Sequence, residues 1–224
     1  MRNNNLTKGL TILFFTVSLL DIIGVAINNS MLQMVFKPMI ILLLMALYSF
    51  SVEKKNKWYL LALIFSFMGD VFLMDKNNLI LYGNASFLMT QLIYIVLIVR
   101  QMERPTFFHK FLYAFLYTNY VVYLLGLLKP NLGALFYPVL IYGITIAVFG
   151  LVATLNYVAK RTIPTLLLML GAFLFIASDS MIALNKFNEP QAYYPVVIMI
   201  TYVLAQYLIF KYFLNNANNL NDKN

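Results

Sequence analysis

The chain is 224 residues long, and 62% of its residues are hydrophobic whereas only 11% are charged. Soluble domains carry about 25% charged residues, so this composition excludes most soluble folds and disordered regulators. The net charge of +8 does not indicate nucleic-acid binding, because the basic residues stand at the ends of apolar stretches and form no single patch. The absence of cysteine excludes disulfides, thiolate metal sites and cysteine nucleophiles.

Eight apolar stretches follow one another, and each is long enough to cross a bilayer as a helix, which takes about 20 residues. We therefore predict an all-α integral membrane protein with eight transmembrane helices. Residues 1–214 form the helical bundle, and residues 215–224 a disordered polar tail. The first stretch is interpreted as a retained helix and not a signal peptide, since it contains Asp21 and no small-residue cleavage pattern follows it. The predicted spans are 10–27, 32–50, 58–74, 79–99, 109–128, 133–158, 163–184 and 193–213.

The distribution of basic residues predicts the orientation of the helices. Twelve basic residues fall on one side of the predicted membrane and four on the other, in regular alternation from loop to loop. Since basic loops stay in the cytoplasm, we predict a multi-pass protein of the cell membrane with both termini cytoplasmic. The four basic residues on the outer side are Lys37, Lys76, Lys129 and Lys186.

A weak internal repeat divides the spans into two sets of four. Span 3 carries Asp70 in Met-Gly-Asp-Val, and span 7 carries Asp179 in Ala-Ser-Asp-Ser. Gln91 of span 4 and Gln206 of span 8 form a second equivalent pair. The pattern is typical of a parallel 4 + 4 repeat about an axis normal to the membrane, which would bring the two aspartates face to face. Chance similarity among apolar helices is the alternative.

Polar residues inside the spans are the candidates for a functional site, because ionisable groups in lipid face a cavity or a partner. Asp70 and Asp179 each lie a few residues before the outer end of a span, and Lys37 enters span 2 from the same side. At about 1.5 Å per residue, these groups are expected at one depth, in the outer-leaflet half of the membrane. Further candidates on the faces of spans 4 and 8 are Asn84, Gln91, Tyr94, Tyr202 and Gln206.

Two interpretations of these residues stay open from the sequence alone. In the first, they line a polar pocket whose functional acids are Asp70 and Asp179. In the second, a buried Lys37–Asp pair and amide hydrogen bonds only hold helices together, or Lys37 extends to the headgroups. Asp21 and Asp75 are predicted to be interfacial.

Several chemistries are excluded by the residue inventory. The single histidine, His109, lies in a basic cluster on the predicted cytoplasmic side. A three-histidine zinc site cannot be assembled, and a Ser–His–Asp triad would need that histidine across the bilayer from the acids. The sequence contains no glycine-rich phosphate loop and no dinucleotide fingerprint.

Segments around the two aspartates and three shorter patterns carry a resemblance to known proteins. They are Ser66 to Met74, Leu174 to Leu184, Phe36-Lys37-Pro38, Phe87 to Tyr94, and Thr201 to Ile209. They resemble the YhhN / lysoplasmalogenase family of eight-span membrane proteins, over about residues 35–210. Family members often have His where Gln91 stands. An amide cannot titrate, so Gln91 can replace such a histidine only as a hydrogen-bonding group.

The resemblance implies hydrolysis of the vinyl ether bond of a lysoplasmalogen to a fatty aldehyde and a glycerophospho-base. Acid cleaves such a bond by protonating its β-carbon, and water then adds to the oxocarbenium-like centre, as in glycoside hydrolysis. Asp70 and Asp179 would be the catalytic pair, without individual assignment, because two neighbouring carboxyl groups in low dielectric titrate as a unit. Lys37 would hold the substrate phosphate as a point charge. Aromatic walls would take the alkenyl chain: Phe67, Phe72, Phe87 and Phe175.

The expected partners are a lysoplasmalogen-like lysophospholipid and the membrane lipids, with no nucleic acid, no indicated protein partner, and no required cofactor or metal. The other substrate-binding candidates are Asn84, Gln91, Tyr94, Tyr202 and Gln206. Two other functions stay open. The same acids would serve a small-molecule or proton-coupled transporter as a proton relay. In a non-catalytic membrane scaffold they would only pair with Lys37.

Overall fold

The computed structural model describes residues 4–75 and 79–221, and in this part of the chain there are eight α-helices, one short 3-10 turn and no strand. The predicted all-α class is confirmed. The helices are α1 (Asn4–Ala26), α2 (Ser30–Ser51), α3 (Lys57–Met74), α4 (Ile80–Val99), α5 (Phe107–Leu132), α6 (Phe136–Lys160), α7 (Ile163–Phe187) and α8 (Tyr194–Asn221). α8 includes residues 215–221 of the predicted tail. Lys76 and residues 222–224 lie outside the described residues.

Side chains at the loop ends fix where several helices begin. The Asn29 side chain accepts hydrogen bonds from the first backbone amides of α2, and Asn56 does the same for α3. Thr162 and Thr165 form a reciprocal capping box at the start of α7. These caps satisfy backbone amide groups that have no partner inside the helix, and they so stabilise the first turns of α2, α3 and α7.

Seven segments of the described chain are long and apolar enough to cross a membrane. One of them, Phe107–Lys160, contains both α5 and α6. Between these helices Gly133 adopts a φ of +51°, in the left-handed region that glycine tolerates. The hydroxyls of Tyr117 on α5 and Thr154 on α6 form a hydrogen bond at 2.9 Å. The two helices therefore lie side by side within this segment.

The surface of the helices is apolar, as expected for a protein in lipid. Large hydrophobic side chains are exposed on α1, α2, α5 and α7, for example Ile12, Met31, Phe111 and Phe173. A soluble monomer rarely exposes large contiguous apolar patches. The exposed apolar faces therefore fit a multi-pass membrane protein.

The helices form two compact units. The first is Met1–Thr90 with Phe210–Asn224, and the second is Gln91–Ile209. In the first unit α2 packs against both α1 and α3, and in the second α6 packs against both α5 and α7. Asp70 belongs to the first unit and Asp179 to the second.

Close contact between α3 and α4 in the first unit depends on glycine beside Asp70. A Cβ atom placed on Gly69 would lie 2.7 Å from two ring carbons of Phe87. Gly83 allows an equally close approach, because its Cβ would meet Leu73 at 2.7 Å. The glycine of the Gly-Asp segment therefore sets the distance between α3 and α4 next to Asp70.

Replacing Gly69 by alanine is expected to destabilise the protein by about 1–3 kcal/mol, because the aromatic ring of Phe87 has to move. Gly126→Ala is the matched control, since no atom lies within 4 Å of a Cβ at Gly126 and alanine favours helix. The measurement is the fraction of detergent-solubilised protein that stays monodisperse after heating. Equal melting temperatures for the two variants would contradict this account of the α3–α4 contact.

Candidate functional site

A chain of three polar side chains connects α4, α6 and α7 inside the second unit. The Gln91 amide donates a hydrogen bond to the Tyr142 hydroxyl at 3.0 Å. The Tyr142 hydroxyl in turn donates a hydrogen bond to the carboxylate of Asp179. Gln91 is fully buried and Asp179 is half-buried. The arrangement fixes the Asp179 carboxylate by a donor that is itself held in place.

A second pair of hydroxyl groups lies beside Asp179. Tyr120 on α5 and Ser180 on α7 are 2.6 Å apart. The Ser180 hydroxyl donates to the backbone carbonyl of Ile176, so Tyr120 is the donor in the Tyr120–Ser180 hydrogen bond. The two hydroxyls tie α5 to α7 at the level of the carboxylate.

Asp179 opens onto a small cavity of about 40 Å³ between α5, α6 and α7. This volume is enough for a water molecule, which needs two to four polar partners. The polar residues in the lining are Tyr120, Tyr142, Asp179 and Ser180. The cavity therefore offers a place where water could meet a carboxylate.

A larger apolar groove of about 430 Å³ adjoins this cavity, and Tyr120 lines both. Its floor contains Ile176 and Thr154, whereas its rims, Leu116 and Phe173, are 51% and 63% exposed. The volume lies in the range of small-molecule sites. The groove opens sideways between α5 and α7, so a lipid chain could enter it from the membrane.

The other predicted site residues of the second unit pack in an aromatic cluster. Tyr94 contacts Phe149 at 5.7 Å between ring centroids, and Phe149 contacts Phe175 at 6.4 Å. Phe175 contacts Tyr202 at 6.0 Å, and Gln206 donates to the Tyr202 hydroxyl at 3.2 Å. Phe175 is thus a core residue and does not belong to the lining of this groove. A helix pattern cannot tell which of two buried faces meets a cavity.

The remaining candidates lie in the first unit. Asp70 is 2% exposed and Ser66, on the same face of α3, is fully buried. Asn84 and Lys37 are half-buried. The roles of these residues, and the pairing of Asp70 with Asp179, stay predictions.

The depth of Asp21 in the membrane stays a prediction, but its side chain does not lie at the surface of the protein. Asp21 is fully buried in the first unit, and its two carboxylate oxygens have no hydrogen-bond partner among the described residues. Lys37 on α2 acts on it electrostatically. α1 and α2 approach each other closely three residues further on, since a Cβ on Gly24 would lie 2.8 Å from the Cβ of Leu32. Lys37 therefore already has an acidic neighbour.

Sequence reasoning missed Tyr142, Tyr120 and Ser180. Tyr142 and Tyr120 resemble the many tyrosines that end in the headgroup region, and their partners lie 37 and 60 residues away along the chain. The sequence feature that could have identified Tyr142 is its position well inside an apolar helix, where its hydroxyl needs a hydrogen-bond partner. His109 lies in the first turn of α5, where its ring nitrogen contacts the Thr106 hydroxyl at 2.6 Å.

Within residues 4–75 and 79–221, no three His, Cys, Asp or Glu side chains lie close enough together to hold a metal ion. The profile of the YhhN family matches residues 32–213, which is most of the chain. The chain belongs to the YhhN family. The match contains Asp70, Gln91 and Asp179, whereas Asp21 lies outside it. No solved structure matches the chain. The cavity beside Asp179 thus lies in the part of the chain that this YhhN protein shares with its family.

The hydrogen bond from Tyr142 to Asp179 predicts a stability loss in Tyr142→Phe, which keeps the ring and removes the hydroxyl. We expect the free energy of unfolding to fall by about 1–3 kcal/mol, because the half-buried carboxylate loses its donor. Tyr137→Phe on the same helix is the matched control, since Tyr137 is 70% exposed. The measurement is the melting temperature in detergent. In the double variant with Asp179→Asn, the melting temperature should fall by less than the sum of the falls in the two single variants. Full additivity would show that the two side chains are not coupled.

Proposed function

We propose that this protein is a membrane lipid hydrolase that cleaves the vinyl ether bond of a lysoplasmalogen-like lysophospholipid. Membership of the YhhN family supports a hydrolase of this kind. The observation that carries the proposal is Asp179, a carboxylate held by Tyr142 at the edge of a cavity that adjoins an apolar groove. In this proposal the groove binds the hydrocarbon chain of the lipid, and the carboxyl group transfers the proton.

The proposed reaction needs a proton, a water molecule and a carboxyl group. A carboxylic acid gives its proton to the β-carbon of the vinyl ether, and positive charge develops on the carbon that bears the ether oxygen. Water adds to that carbon and returns a proton to the carboxylate. The resulting hemiacetal then breaks its bond to the glycerol oxygen, which takes up the hydroxyl proton. The products are a fatty aldehyde and a glycerophospho-base.

The environment of Asp179 suits the steps of the proposed reaction. The Tyr142 hydroxyl donates to the carboxylate and so stabilises the charge left after proton transfer. Gln91 holds the Tyr142 hydroxyl from the other side, so this donor is already oriented before the reaction. The 40 Å³ cavity beside the carboxylate has room for the water molecule that the proposed reaction needs. Asp70 is the proposed second carboxyl group, and variants of both aspartates test its part.

We also propose that the eight helices are eight spans with both termini in the cytoplasm. The 54-residue segment Phe107–Lys160 supports two crossings, because one helix of that length would measure about 80 Å against a hydrocarbon layer of about 30 Å. The excess of basic residues on one side supports the orientation. The carboxyl end of α7 would then lie on the outer side and the site in the outer-leaflet half.

Release of fatty aldehyde from a lysoplasmalogen by the purified protein tests the proposed function. Asp179→Asn and Asp70→Asn should each lower the rate at least about 100-fold, which is the usual size of acid–base catalysis. Asp75→Asn is the matched control, because Asp75 is an exposed residue at the end of α3. Its rate should equal that of the wild type.

A folded wild-type protein that cleaves neither lysoplasmalogen nor a wider panel of ether lipids would contradict the hydrolase proposal. Uptake of a proton or solute by proteoliposomes would then become the measurement of interest. Full activity in Asp70→Asn, with activity lost in Asp179→Asn, would contradict only the carboxylate pair.

A further inference from the structure

The face of α7 that carries Asp179 ends in a cation. Asp179, Ser180 and Ala183 line the 40 Å³ cavity. Lys186 follows three residues after Ala183 and seven after Asp179, so it lies on the same face of the helix. The distance along the axis from Asp179 to Lys186 is about 10 Å. Lys186 is exposed, in the last turn of the helix.

Contacts at the carboxyl end of α7 place this cation beside α5. The Asn131 side chain at the end of α5 donates a hydrogen bond to the backbone carbonyl of Phe187 at 2.8 Å. The ammonium group of Lys186 lies 5.8 Å from the centroid of the Phe187 ring, within cation–π range. The positive charge is therefore close to the point where α5 and α7 are tied together.

The opposite direction along α7 is apolar. Phe173, Ile176 and Ala177 line the 430 Å³ groove, and they precede Asp179 by up to six residues. The order along this helix is thus an apolar groove, a carboxyl group, a small cavity and a cation. A lysoplasmalogen has a matching order: a hydrocarbon chain, a vinyl ether, a glycerol backbone and a phosphate.

We propose that Lys186 binds the phosphate of a single-chain phospholipid whose hydrocarbon chain occupies the groove between α5 and α7. This inference rests on the proposed function of Asp179 and names the substrate class of that site. It replaces Lys37 as the phosphate ligand. Lys37 interacts electrostatically with Asp21, and this carboxylate would compete with a phosphate for the lysine. Lys186 lies on the same face of α7 as Asp179.

Lys129 provides a matched control because it is an exposed lysine in the last turn of α5. It follows Tyr120 by nine residues, which is two and a half helical turns, so it lies on the face opposite to Tyr120. Tyr120 is the residue that bonds α7 through Ser180. The two lysines therefore differ in direction relative to the groove and not in exposure.

The test is equilibrium binding of two probes by microscale thermophoresis in detergent. One probe is a 1-O-alkyl-glycerophosphocholine, and the other is the 1-O-alkylglycerol with the same chain. Both carry a saturated ether bond, so neither is cleaved by vinyl ether chemistry. The wild type should bind the phosphate-bearing probe about tenfold more tightly, as one charge-assisted contact allows. Lys186→Gln should abolish this preference, whereas Lys129→Gln and Lys186→Arg should keep it.

A preference that survives in Lys186→Gln, or that falls equally in Lys129→Gln, would overturn the assignment, as would a wild type without any preference. Gel filtration establishes that each variant is folded. The binding assay does not depend on hydrolysis. Lys186-dependent binding without aldehyde release would reject the hydrolase and leave a lysophospholipid site. Aldehyde release with no role for Lys186 would reject only the phosphate site.

Discussion

A carboxyl group among apolar helices needs a hydrogen-bond donor or a nearby cation, because the loss of hydration costs several kcal/mol and lipid offers no replacement. Asp179 meets this requirement through the hydroxyl of Tyr142, which Gln91 holds from the other side. The three residues come from three helices, so one hydrogen-bonded chain fixes the relative positions of α4, α6 and α7. The cavity beside the carboxylate exists because these helices, together with α5, stay at that distance. Tyr120 and Ser180 supply the equivalent connection between α5 and α7.

The same chain of contacts bears on the histidine that the family resemblance implies at the position of Gln91. Gln91 donates one hydrogen bond to Tyr142 and exchanges no proton. A neutral histidine ring could donate the same bond. Gln91 therefore orients Tyr142, and in the proposed reaction proton transfer falls to carboxyl groups.

The helices could be predicted from the sequence because hydropathy and length carry that information directly. The eight predicted segments coincide with α1 to α8, with boundaries that differ mostly by a few residues. The buried face of α4 followed equally from helical spacing, since Phe87, Gln91 and Tyr94 are all buried. Partners across helices could not be predicted. The contact of Tyr142 with Asp179 spans 37 residues, and nothing local to either residue indicates it.

The burial of Asp21 and the surroundings of Phe175 could not be predicted from the sequence for a related reason. The burial of Asp21 is a property of the packed helices, and α1 and α2 approach each other closely nearby, at Gly24. Phe175 fits a cavity wall by its chemistry, but its face of α7 meets Phe149 and Tyr202. The groove is instead lined on α7 by Phe173, Ile176 and Ala177. Sequence periodicity shows that a face is buried, and only the neighbouring helices decide whether it meets a core or a cavity.

In the proposed reaction a carboxyl group of this protein protonates the β-carbon of a vinyl ether. Cleavage of a lysoplasmalogen in D₂O, with immediate reduction of the aldehyde and mass spectrometry of the alcohol, tests this step. We expect one deuterium on the carbon next to the former aldehyde carbon, and at least about 100-fold less product from the Asp179→Asn protein. Aldehyde without that deuterium, or unchanged release by the variant, would contradict protonation by this carboxyl group.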